Sequence, residues 1–405
     1  MIGQHVWSGG GVRYLMFSAV NPALCLNGIS IPATDLLVPS GILFAMEMET
    51  KADFDKTMAR FEAWWNFEVI DRPPVSLWVP SGKKVQWPQK QHASERERWF
   101  DMDYRFDQHE AAVQSGKWIG DNIPSFHGNL GPEILATLYG AELEFTRDSS
   151  WSRPMCRSSR EVLNLQPDLD TPYWKWEREW VRRSLEQGKG KWITCITDLH
   201  THADLLAALR EPQELLLELM DDYEGVKQAI AHLTPLFDLV YDDQANAILA
   251  AGQPTMSWLP APHLGRSCVL QADFICMISP DMFRDVFLPP LEYEMSRLDR
   301  SIFHLDGAAA LKHLDALLEC KKLNAIQWVW GDGNGPAAKW IDTYKRIQAA
   351  GKSMQIVCVD MDDAIKVAEH LKPEGCFFAV GGNYSEDQAN AFLQRMERWT
   401  ATGKL

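Results

Sequence analysis

Hydrophobic residues in this chain recur in two alternating rhythms. Short apolar runs rich in strand formers are followed by longer stretches whose apolar residues return at helical spacing. Residues 301–336 show both. Ile302, Phe303 and Leu305 read as a strand that ends around His304, Asp306 and Gly307. Leu311, Leu314, Leu317 and Leu318 follow on one helical face, and residues 325–330 form a second strand closed by Gly331, Asp332, Gly333, Asn334 and Gly335. Two strands joined by one helix make a βαβ unit and imply a parallel pair.

The same reading extends over most of the chain. Residues 50–66 predict a helix with Phe54, Met58, Phe61, Trp64 and Trp65 on one face, ended by the prolines of DRPPV. Residues 75–79 read as the first strand, 81–117 as a solvated insertion, and 118–155 as a loop with a short helix over 132–139. A Trp-rich helix over 170–188 stops at Gly188 and Gly190. Strands are predicted over 192–197, 255–259, 268–274, 354–359 and 376–380, and helices over 214–233, 281–297 and 385–399. Candidate strands near 75, 192, 255, 268, 301, 325, 354 and 376 give the count of a (β/α)8 TIM barrel. An open doubly wound sheet is the alternative, but no GxGxxG follows the first strand, and GDGNG reads as a turn. The domain reading is one barrel over 46–405 with an insertion around 81–190.

Residues 1–45 differ in texture. They hold apolar patches broken by Gly and Pro, with no signal-peptide pattern and no run of the ~18 apolar residues a membrane span needs. They read as an extension ahead of a start at Met46 or Met48, with a structured N-terminal arm as the other reading.

Composition narrows the function classes. A formal charge of −15 argues against nucleic acid or an anionic membrane as partner. Eight cysteines without a CxxC pair predict buried reduced thiols in a cytoplasmic protein. Seventeen tryptophans suit either a large core or stacking against flat ligands. A small-molecule substrate is expected, and a homodimer is compatible with the chain.

Candidate chemistry gathers where predicted strands end: His200, His202, Asp273, His304, Asp306, Asp332, Asp360 and Asn383, with His127 in the loop 118–155. In a strand His200 and His202 would share a side and could chelate a metal; two hydrogen-bonded loop histidines are the other reading. His304 and Asp306 also share a side. They could be a structural hydrogen-bonded pair, a catalytic pair, or metal ligands completed by Cys376. The acids Asp273, Asp306, Asp332 and Asp360, with Trp328 or Trp330 for stacking, allow a carboxylate-dependent glycoside hydrolase. A non-catalytic ligand-binding barrel is a third reading.

Several blocks carry a family likeness: DRPPV, GPEILATLYGAELEF, ITDLHTHADLLAALR with LLLELMDD, ISPDMFRDVFLPPL, HLDGAAALKHLDALL with IQWVWGDG, and LKPEGCFFAVGG. Over about 71–399 the chain resembles the uroporphyrinogen decarboxylase superfamily, in its uncharacterised branch related to corrinoid-dependent methyltransferases. That resemblance implies the barrel fold and methyl or one-carbon transfer, with a thiol or a corrinoid partner protein as the other reactant. WVPSGKKVQW stands where a porphyrinogen decarboxylase carries an arginine-rich MRQAGRY-type segment, so that activity is not expected. The methyltransferases hold zinc on an HxC pair and a distant Cys. Here HxC has become His304-Leu305-Asp306, and Cys376 falls near the third position, so the implied zinc ligands are His304, Asp306 and Cys376, a harder set. Asp273, His200 and Asp306 are the expected catalytic residues. His127, His202, Trp328, Trp330, Asp332, Asp360 and Asn383 are expected to face substrate.

Overall fold

A computed structural model describes residues 46–405; the predicted extension over 1–45 lies outside the described residues. Helix α1 (Phe54–Trp65) buries the predicted face of Phe54, Met58, Phe61, Trp64 and Trp65. Strand β1 (Val75–Pro80) follows. The insertion after it contains α2 (Glu95–Phe100), α3 (Met102–Ser115) and the short β2 (Gly116–Lys117). Next come β3 (Ser125–His127), the hairpin of β4 (Leu143–Phe145) and β5 (Ser150–Ser152), and the one-turn α4 (Ser159–Val162). Helix α5 (Pro172–Gln187) starts on the Thr171 cap with Pro172 at its first position, and turns Trp174, Trp176 and Trp180 inward.

Strand β6 (Ile193–Cys195) leads into α6 (His202–Arg210), α7 (Pro212–Asp221), α8 (Tyr223–Leu233) and α9 (Leu236–Ala250). The helix predicted over 214–233 is thus two, because Asp222 leaves helical geometry and its side chain accepts from Gly225 N–H to cap α8. Then follow β7 (Ser267–Gln271), α10 (Pro280–Met282) and α11 (Leu288–Ser296). A π-helical turn over Phe283–Phe287 joins these two helices. Pro289 and Pro290 lack the N–H groups that regular bonding there requires. The last part alternates: β8 (Arg300–Asp306), α12 (Leu314–Glu319), β9 (Ala325–Val329), α13 (Ile341–Ala349), β10 (Ser353–Cys358), α14 (Met361–Ala368), β11 (Cys376–Asn383) and α15 (Glu386–Thr402).

The main sheet runs β2-β1-β11-β10-β9-β8-β7, with every pair parallel except β2 against β1. A separate parallel pair joins β3 to β6. Backbone bonds tie the two sets: Asp121 N–H donates to the Val75 carbonyl at 2.7 Å, and Ile196 N–H to Met256 at 2.7 Å. Val269 N–H reaches Ser257 Oγ at 3.0 Å, so 256–257 bridges the gap between β6 and β7. The strand predicted over 255–259 is therefore a connecting segment with one antiparallel bridge, Thr255 to His263. The three-residue β3, hidden in a Pro- and Gly-broken stretch, was not predicted.

Helix α1 covers the end of the sheet where strands begin. Trp64 Nε1 donates to the Gly375 carbonyl at 3.0 Å and Trp65 Nε1 to Pro262 at 2.6 Å. Phe61 packs edge-on against Phe377. Beside it, fully buried Asp121 accepts from Arg60, Arg72 and the Val75 N–H. Trp64, Trp174, Trp180, Trp192 and Trp328 are completely buried, so the core accounts for them. Among the described residues the seven cysteines are free thiols, and no helix is long and apolar enough to cross a membrane.

Candidate active site at the strand ends

Parallel register places Gln271, His304, Gln327 and Gln355 side by side on β7, β8, β9 and β10. The three glutamines are buried, which demands hydrogen-bond partners. Gln327 Nε2 donates to Gln355 Oε1 at 2.6 Å, and its Oε1 pairs with His304 Nδ1. With the Gln327 amide so oriented, the proton sits on His304 Nδ1 and the Nε2 lone pair stays open. The His304 ring stands edge-on to Trp258 at 4.9 Å. Gln271 Nε2 donates to Asp198 Oδ1.

The segment DLHTHAD supplies the next layer. His200 lies between two carboxylates, Nδ1 at 2.9 Å from Asp204 and Nε2 at 3.3 Å from Asp198. Burial alone would discharge His200, but the two carboxylates outweigh it and raise its pKa well above the ordinary value. Asp198, which burial would push up, is held down at about 2 by His200, Gln271 and the nearby His127. The two carboxylates therefore favour the imidazolium form of His200. Asp204 also accepts from the backbone N–H groups of Asp273 at 3.0 Å and Phe274 at 2.9 Å, which places the Asp273 turn beside it. Burial, then the Asp204 charge, push Asp273 up to about 6, against the pull of His200 and His304.

Two triads of potential donor atoms, each within 4.8 Å of one another, share Asp273: His200 with Asp204, and His304 with Asp306. They differ in what is available. Both His200 nitrogens are engaged by carboxylates, Asp204 and Asp198, so neither is open to a cation in this arrangement. In the second triad His304 Nε2 has no hydrogen-bond partner among the described residues, and Asp306 is exposed at the mouth while Asp273 and His304 are half-buried. One imidazole and two carboxylates suit a divalent cation of borderline or hard character.

The remaining expected residues are placed differently. Cys376 is level with Phe303, but its side chain leaves the opposite face of the sheet from His304: Phe377 is the β11 residue in the His304–Gln327–Gln355 row. Cys376 Sγ contacts the Lys372 carbonyl at 3.1 Å and is wholly buried, and burial raises its pKa. It is not a ligand partner of His304. His202 does not chelate beside His200, because it starts α6 with φ +29° and is buried against Glu294, 3.6 Å away. Trp328 points into the core against Trp340, and Trp330 Nε1 is bound to the Val357 carbonyl at 3.2 Å. Asp360 is exposed and caps α14 through Asp363 N–H; Asp332 is exposed on the loop beyond β9, and Asn383 is exposed at the last position of β11, paired with Trp78 of β1. His127 ends β3, half-buried, 3.4 Å from Asn129. Asp198, Asp204 and the three glutamines escaped the sequence reading as site residues. For Asp198 and the glutamines the signal is a polar side chain inside or just after an apolar strand; Asp204 lies within α6 and carries no such signal.

No protein-family model and no curated protein matches the chain. Solved structures do. A methyltransferase from Methanosarcina mazei superposes with a TM-score of 0.55 at 12% identity, covering 85% of this chain and 98% of that one. A B12-independent methionine synthase from a Shewanella species, in complex with selenomethionine, is more distant, with a TM-score of 0.40 at 11% identity over 81% of this chain and 94% of that one. The first likeness is one of fold: a mixed α/β chain with a parallel sheet, built like a known methyltransferase.

Proposed function

We propose that the chain is a methyl or one-carbon transferase built on a closed (β/α)8 barrel of the uroporphyrinogen decarboxylase type, with a divalent cation, zinc first among candidates, held by Asp273, His304 and Asp306. The barrel reading is supported by the bonds that carry β1 to Asp121 just ahead of β3, β3 to β6, β6 to residues 256–257, and these to β7. The fold likeness to a methyltransferase supports the reaction class. The observation that carries the site is the convergence of three donor groups around an open His304 Nε2.

A cation there would supply Lewis acidity that lowers the pKa of a thiol or water. The residues around it have separate tasks. Gln327 fixes the His304 tautomer. Asp204 holds the Asp273 backbone, and the His200 imidazolium offsets the crowding of acids. Asp306 at the mouth meets the incoming reactant. The acceptor in this reading is a small thiol or a corrinoid carried by a partner protein. The glycoside reading loses support because Trp328, one of its two stacking candidates, faces the core.

Elemental analysis of protein purified without a histidine tag, run beside His304→Ala, tests the proposal. The expected result is near-stoichiometric divalent metal in the wild type and none in the variant, with methyl transfer lost and circular dichroism unchanged. Metal retained by the variant overturns the ligand set. No metal in either protein overturns the metal-dependent reading.

A further inference from the structure

The inserted helices carry a second polar concavity, on the outside of α5. A cleft of about 250 Å³ is lined by Arg98 and Trp99 of α2, Arg105 of α3, and Arg147 and Asp148 in the turn between β4 and β5. Three guanidinium groups around one cleft are notable in a chain of net charge −15. Their charges are poorly matched by acids. Arg98 meets Glu95 at 2.7 Å and Arg147 meets Asp148 at 3.8 Å, both in exposed settings where pairing is weak. Arg105 has no carboxylate within ion-pair distance among the described residues, and its Nη1 donates only to the Trp99 carbonyl, at 3.1 Å.

The cleft is also held in shape before any ligand arrives. The Arg105 guanidinium lies 4.7 Å from the Trp180 ring, 5.1 Å from Trp176 and 5.7 Å from Trp99. Arg98 lies 5.7 Å from the Trp99 ring centre. Trp99 Nε1 donates to the Thr146 carbonyl at 2.8 Å, and Arg98 Nη2 to the Arg147 carbonyl, so the turn and α2 are tied together. Ordered guanidinium groups on aromatic rings lose little freedom when they bind an oxyanion, and they offer forked donors that match it.

We infer that this cleft binds a small oxyanion, a carboxylate or phosphate group, on Arg98, Arg105 and Arg147. Electrostatics beneath it point the same way. Burial raises the pKa of fully buried Glu177 despite the Arg105 charge, and the same burial lowers that of Arg105, so the nearest carboxyl beneath the cleft is a poor counter-ion for the guanidinium. The cleft shares no residue with the Asp273, His304 and Asp306 cluster, so it is a separate binding site whatever reaction the cluster performs.

The test is isothermal titration of the full chain with inorganic phosphate and, separately, malonate, at ionic strength fixed with chloride. One-to-one saturable binding of at least one anion is expected, weakened about tenfold or more in Arg147→Ala and in Arg105→Met. Arg147 is almost fully exposed, so its variant keeps the fold and reads the contact alone. Binding of phosphate only assigns a phosphate group, and binding of malonate only assigns a carboxylate. The inference is overturned if neither anion saturates at tens of millimolar, or if binding is unchanged in both variants.

Discussion

His304 and Gln327 face each other across neighbouring parallel strands, Nδ1 against Oε1, and Gln327 is held in turn by Gln355. If this contact sets the tautomer that leaves Nε2 open, Gln327→Leu should weaken metal retention by about 10- to 100-fold. Chelator competition followed by metal analysis measures it. A variant that holds metal as tightly as the wild type would remove Gln327 from the site.

Cys376 offers the opposite test. It lies on the other face of the sheet from His304. Cys376→Ala should keep metal content and turnover while costing on the order of 1 kcal/mol in stability for the lost packing. Metal loss in that variant would return the thiol to the ligand set.

The carboxylate of Asp121 joins Arg60, Arg72 and the start of β1 with no exposure to solvent. Asp121→Ala leaves buried Arg72 without an ion-pair partner among the described residues and buried Arg60 with Asp71 alone, and should cost about 3–5 kcal/mol. Urea unfolding reads this directly, and a loss under about 1 kcal/mol would show that water or local rearrangement replaces the carboxylate.

Glu177 gives the chain a pH signature. Its folded pKa of about 8 exceeds the ordinary 4.5, because burial outweighs the Arg105 charge. Between those values the folded state holds a proton that the unfolded chain has released. Its contribution is therefore complete below 4.5 and is lost as pH rises through about 8. Glu177→Gln should gain on the wild type, in urea unfolding free energy, from pH 5 to pH 8. An equal difference at both pH values would place the carboxyl in an ordinary environment.

The parallel βα alternation from β7 onward was legible because strands and helices there have clean, different periods. What marks a strand end is also local, so Asp273, His304 and Asp306 could be named from sequence. Facing was harder. Cys376 is expected beside His304 because it falls near the third zinc position that the family resemblance implies, but in parallel register a shift of one residue moves a side chain to the other face. His200 and His202 look like a strand pair until α6 begins at His202 and ends the alternation. Asp204 acts through backbone N–H groups more than sixty positions away, and no local pattern reveals that. Gln327 was visible as a polar residue in AIQWVW, but its meaning depends on neighbours contributed by two other strands.

Helix α1 has a kinetic consequence. It covers the strand starts through Trp64 and Trp65, so in the transfer proposed above donor, acceptor and products would share the end where Asp306 is exposed. Under that reading, traffic through one shared end would be sequential: a spent donor would have to clear the threshold before a bulky acceptor could enter. Such a well favours a ping-pong order of events when the acceptor is large, and a queue at the entrance when either reactant is in excess.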